Sequence, residues 1–106
     1  MRDFFQEQLK ELNRELVKMG ADCEDIIALA SDSLTGWNEK LAKNVSTIGA
    51  RIDEGYHTVE NICLKILLRQ QPVAKDLRVI SAALKMITDM ERIGDQASDI
   101  AELVIY

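Results

Sequence analysis

The chain has 106 residues, 47% of them apolar and 29% charged, with a formal net charge of -5. That length holds one domain with a modest core, and the acidic balance excludes the basic footprint that nucleic-acid binding needs. Aromatic residues make up only 5%, and one proline and five glycines leave little for turns, so the composition favours few turns and long helices.

The first segment places Phe5, Leu9, Leu12, Leu16, Met19, Cys23, Ile26, Ala30 and Leu34 at steps of three or four. This is the pattern of a long amphipathic helix with a heptad-like seam. Asp3 is its expected N-cap, with Gln6 placed to complete a capping box. Gly20 costs roughly 1 kcal/mol against alanine but does not break so regular a pattern. The rhythm stops at Thr35-Gly36-Trp37-Asn38, where Gly36 reads as a C-terminal cap, Trp37 as a plug over the end of the bundle, and Asn38 as the next N-cap.

The second segment repeats the rhythm with Leu41, Val45, Ile48, Ile52, Tyr56, Val59, Cys63 and Ile66, and ends near Arg69. Gly49 and Gly55 lower its helix propensity and mark where it would fray or kink. Pro72 enforces the stop, because the residue before a proline is pushed out of the helical region. Asp76 then suits the first turn of a third helix.

That third segment has a seam of Leu77, Ile80, Leu84 and Ile87, which continues onto Glu91, Gly94, Ser98 and Ala101. The seam starts bulky and apolar, then turns acidic and small. Glu91 and Asp95 are one helical turn apart on one face, and Asp99 extends the column. A carboxylate on a seam must be solvated, paired or metal-bound. Like charges at this spacing repel by a few tenths of a kcal/mol, which a hard cation such as magnesium, manganese or iron would relieve. A solvated acidic face is the other reading. Gly94 is expected to mark a close helix approach.

Around the turn between the second and third segments stand Arg69, Gln70, Gln71, Lys75 and Arg78. They read either as capping charges at a helix end or as a partner-docking patch. Cys23 and Cys63 fall on seams and form neither a disulfide framework nor a zinc pattern, so both are expected as buried thiols in a reducing compartment. Di-iron carboxylate bundles use two Glu-x-x-His pairs, which a chain with one histidine, His57, does not supply. There is no apolar run near 18 residues and no signal peptide, so a cytoplasmic protein without direct membrane insertion is expected.

Residues 1–106 are thus expected to form a single all-α domain, an antiparallel up-down-up three-helix bundle. The pattern is still helical at Tyr106, which suggests a truncation. Uncovered helix faces predict a homo-oligomer.

The stretches QQPVAKDLR and DMERIGDQASDIA, with the opening MRDFFQEQLKELNRELVKMG, resemble the PhoU family of phosphate-uptake regulators. The resemblance covers essentially the whole chain and corresponds to one of the two three-helix repeats usual in that family. It implies metal sites built from acid-x-x-x-Asp motifs on two helices of each repeat. Glu91-Arg92-Ile93-Gly94-Asp95 matches the third-helix motif. In the second, Asp53 fits the last position, while Gly49 stands where an acid usually begins it and Tyr56 where a Glu is common. The implied ligands are therefore Glu91, Asp95 and Asp53, holding a weakly bound manganese, iron or magnesium ion.

The resemblance further implies a non-enzymatic adaptor that couples a phosphate ABC transporter ATPase to a sensor histidine kinase, damping phosphate-starvation signalling, at the inner membrane through its partners. Two other readings stand beside it. One is a PhoU-like tail or dimerisation module of a larger phosphate transport protein. The other is a small carboxylate metal-binding bundle.

Overall fold

The computed structural model describes residues 2–69 and 71–106, apart from the side chains of Arg2, Asp3 and Arg69. Three helices follow one another: α1 (Arg2–Thr35), α2 (Glu39–Arg69) and α3 (Ala74–Ile105). They run up, down and up, so α1 and α3 are parallel and α2 is antiparallel to both. Each packs on the other two, giving a rod of 53 × 18 × 16 Å. The long dimension is that of one 34-residue helix at about 1.5 Å rise per residue.

The seams face inward as the three-and-four spacing requires. Phe5, Leu12, Met19, Ile26 and Ala30 of α1 are buried against Val45, Ile52, Val59 and Ile66 of α2, with Ile80, Ile87 and Val104 of α3. Neither Gly20 nor the Gly49 and Gly55 pair interrupts its helix. At Gly55 a side chain of α1 packs tightly on α2: a Cβ there would lie 2.6 Å from Met19 Cγ. At Gly94 it would meet Ile52 at 3.5 Å, an ordinary contact, so close approach does not require that glycine.

Several ends differ from expectation. α1 already runs at Arg2, so Asp3 lies in its first turn and not before it. The α1–α2 corner is a Schellman turn: Asn38 N–H donates to Ser33 O (2.8 Å) and Trp37 N–H to Leu34 O (3.3 Å). Its left-handed residue is Trp37 (φ 49°) rather than Gly36. That geometry turns the indole outward, and at 59% exposure it plugs nothing. Asn38 does cap α2, its Oδ1 accepting from Leu41 N–H at 3.1 Å.

Leu34 and Leu77, expected on seams, are exposed. Both stand in terminal turns, where the neighbouring helices no longer close over them. In the first turn of α3 the buried residue is Asp76, whose carboxylate accepts from the Val73 N–H at 3.4 Å.

Candidate functional site

The acidic stretch of α3 faces the middle of α2. Because the two helices are antiparallel, mid-α2 meets the second half of α3. Asp53, Glu91 and Asp95 therefore line a single open cleft of ≈ 300 Å³ with Ser46, Gly49, Ile52, Gly94 and Ser98. The small residues let the carboxylates sit low between the helices. Asp53 and Asp95 are exposed, whereas Glu91 is partly buried.

Glu91 is the unusual member. Burial pushes its carboxyl above the usual carboxylate range, and a hydrogen bond to Asp53 and the charges of Asp53 and Asp95 push it further, against a smaller downward pull from His57. With every carboxylate ionised, Glu91 Oε2 is buried without a hydrogen-bond partner. Two carboxyls can hydrogen-bond only when one holds a proton, so the raised affinity for a proton and the orphaned oxygen have one cause.

His57 stands at the rim. Its Nε2 lies 3.8 Å from Asp53 Oδ1 and its Nδ1 3.8 Å from Glu60 Oε1, both beyond hydrogen-bond distance. The i, i+4 and i, i+3 spacings on α2 carry this contact and could have foretold it. Glu54-Gly55-Tyr56-His57 is one Glu-x-x-His spacing, but the imidazole turns to Asp53 and Glu60, and the chain has no second histidine.

The fit to a metal is incomplete. Among the described residues no group of three His, Cys, Asp or Glu side chains converges closely enough to hold an ion. The cleft offers neighbouring carboxylates without a finished coordination sphere. Asp99 does not line it.

The chain matches the PhoU domain model over residues 16–104. It belongs to the PhoU family. Its relatives include proteins named phosphate-specific transport system accessory protein PhoU homolog from Synechocystis (32% identical), Clostridium acetobutylicum (36%) and Pseudomonas aeruginosa (35%). The alignments take in 98%, 97% and 95% of this chain, and 46%, 48% and 42% of those relatives. This PhoU chain thus spans about half the length of the curated relatives it matches. No solved structure matches it.

Of the residues expected to dock a partner, Gln71, Lys75 and Arg78 are exposed at the α2–α3 corner. Arg69 ends α2, with its side chain outside the described residues, and Gln70 lies outside them altogether.

A contact between α1 and α2 was not foreseen. Buried Asp22 reaches Arg51 Nε at 3.6 Å, tying α1 to α2. Its place beside the seam residue Cys23 was the available signal. Cys23 and Cys63 are both buried and free. Burial pushes both thiols up, with Asp22 and Glu91 adding to the effect at Cys23 and Glu60 at Cys63, which leaves them poor nucleophiles. No helix among the described residues is long and apolar enough to cross a membrane.

Proposed function

We propose that the chain is a non-enzymatic accessory module of phosphate transport. In this reading it couples a phosphate ABC transporter ATPase to a sensor histidine kinase on the cytoplasmic side and holds down phosphate-starvation signalling. The observation that carries the proposal is the family match over residues 16–104, joined to relatives named as transport accessory proteins. The bundle suits such work, because a rigid rod presents side chains on fixed faces. The test is complementation. In a bacterium lacking its own homologue, expression of this chain should lower a phosphate-starvation reporter, and the chain should co-purify with the transporter ATPase and the kinase. A reporter left unrestrained with the chain well expressed would end this reading.

A second role belongs to the cleft: a weakly held manganese, iron or magnesium ion anchored by Glu91, with Asp53 and Asp95, which do not converge on a shared point in the structure, joining it through water. The orphaned Glu91 Oε2 favours it. Hard cations accept such oxygen-rich, water-completed spheres. Calorimetric titration decides it. The parent should bind manganese weakly and the Glu91→Ala/Asp95→Ala double variant should not. Equal heats from both would leave the column a solvated face. We further propose that the chain associates with copies of itself through helix faces the bundle leaves uncovered; light scattering showing a strict monomer at high concentration would refute this.

A further inference from the structure

Five of the thirteen basic residues of this acidic chain stand around one corner, where acids are scarce. Residues 61–88 carry Lys65, Arg69, Lys75, Arg78 and Lys85 against a single acid, Asp76, a net charge of +4. The rest of the chain holds eight bases against seventeen acids, a net charge of -9. α2 ends and α3 begins in this stretch, so the charge is concentrated toward one end of the rod.

Of the acids near that end, Asp76 and Glu7 are engaged, while Glu11 is exposed without an ion-pair partner among the described residues. Asp76 is buried and accepts from the first turn of α3. Glu7, on α1 at the same end, lies 3.8 Å from Lys10, and Glu60 lies 3.8 Å from His57. Lys65, Lys75 and Arg78 are exposed, and none has an ion-pair partner among the described residues. Large apolar side chains stand out between them. Leu64, Leu67 and Leu77 are exposed, Leu68 is 83% exposed and Val73 62%. Scattered apolar residues on a surface need no explanation, but five within fourteen residues, interleaved with unpaired bases, form a patch.

We propose that the α2–α3 corner docks directly on an anionic lipid surface. Leu68 and Val73 would enter the headgroup layer while Lys65, Lys75 and Arg78 lie against lipid phosphates. The shape favours lipid over a peptide. An amphipathic peptide helix needs a groove to receive its apolar face, whereas Leu68 and Val73 protrude. A headgroup layer accepts protruding side chains without matched contours, and it rewards apolar residues and cations together. The charge supplies orientation. The acidic remainder of the rod is repelled by an anionic bilayer, so this corner is the end that approaches. No spanning helix is involved. The proposal stands apart from the accessory role, since the chain could bind lipid without restraining the reporter.

The test is vesicle sedimentation of the 106-residue chain. Vesicles of phosphatidylglycerol and phosphatidylcholine in equal parts should pull it down at low salt, and phosphatidylcholine alone should not. Each basic residue at such a surface strengthens binding about fivefold. Lys65→Glu/Lys75→Glu/Arg78→Glu should therefore weaken partitioning more than a hundredfold. Leu68→Ser/Val73→Ser should weaken it about tenfold while keeping its salt dependence. Lys18→Glu/Lys40→Glu/Lys43→Glu, with the same change in net charge placed elsewhere, should bind like the parent once repulsion is screened to the same extent by salt. Circular dichroism confirms that each variant is folded. Equal binding to both lipids, no binding to anionic vesicles, or equal loss in the displaced-charge variant overturns the proposal. Capture of an acidic amphipathic peptide without vesicle binding would also overturn it and transfer the corner to a protein partner.

Discussion

Gly20 and Gly55 are both helix-interior glycines, and the structure predicts that replacing them by alanine has opposite effects. Each costs its helix about 1 kcal/mol relative to alanine. A Cβ at Gly20 meets nothing within 4 Å, so Gly20→Ala collects that gain and stabilises by roughly 0.5–1 kcal/mol. At Gly55 the same atom falls 2.6 Å from Met19 Cγ and 3.1 Å from Met19 Sδ. Met19 is itself 1% exposed and has little room to retreat. Overpacking of this kind costs about 1–3 kcal/mol, which outweighs the propensity gain and leaves a net loss near 1 kcal/mol. Methionine's flexibility holds the loss to that size. For a domain of this length each kcal/mol moves the midpoint by about 4–8 °C, so the two variants should melt roughly 10 °C apart. Thermal melts and urea titrations with unchanged m-values measure this. Placing Gly55→Ala in a Met19→Ala background should restore the sign seen at Gly20. If Gly55→Ala stabilises as much as Gly20→Ala, the tight packing of Met19 on Gly55 is refuted.

The remaining predictions concern the cleft, a cap and the thiols. The folded state raises the pKa of Glu91, so this carboxyl contributes stability below the ordinary carboxylate pKa, and the contribution is lost as pH rises through the folded value. Glu91→Gln, always neutral, should show no such loss: the variant should match the parent near pH 4 and exceed it near pH 7 by a few tenths to about 1 kcal/mol in urea titrations, and an unchanging gap would contradict the assignment. Asn38→Ala removes the acceptor of Leu41 N–H and should cost about 1 kcal/mol, largely recovered in Asn38→Asp; the midpoint of thermal unfolding reports both. Cys23 and Cys63, buried with raised pKa values, should react with an aromatic disulfide reagent only as fast as the bundle opens, and fast labelling of native protein would show an unsuspected path to either thiol.

The helices and their inward faces were legible in the sequence because both are local properties. A step of three or four puts Met19, Cys23 and Ile26 on one stripe whatever the stripe packs against, and Pro72 and Asn38 act on the backbone beside them. The family was legible from the QPVA turn and the ERIGD element. Asp53, Glu91 and Asp95 could be nominated from the acid-x-x-x-Asp motifs that the family resemblance implies, with the antiparallel pairing of α2 and α3 in support. Tertiary structure alone decided what those carboxylates experience. The rotation and register of α2 on α3 set which of them is partly buried and where Glu91 Oε2 points, and these follow from the summed packing of three seams rather than from any one spacing. The same holds at the corners. Exposed Trp37 takes the left-handed position that Gly36 was expected to fill, and buried Asp76 takes the place expected of Leu77. A helix end depends on where its neighbours stop covering it, which no single segment encodes.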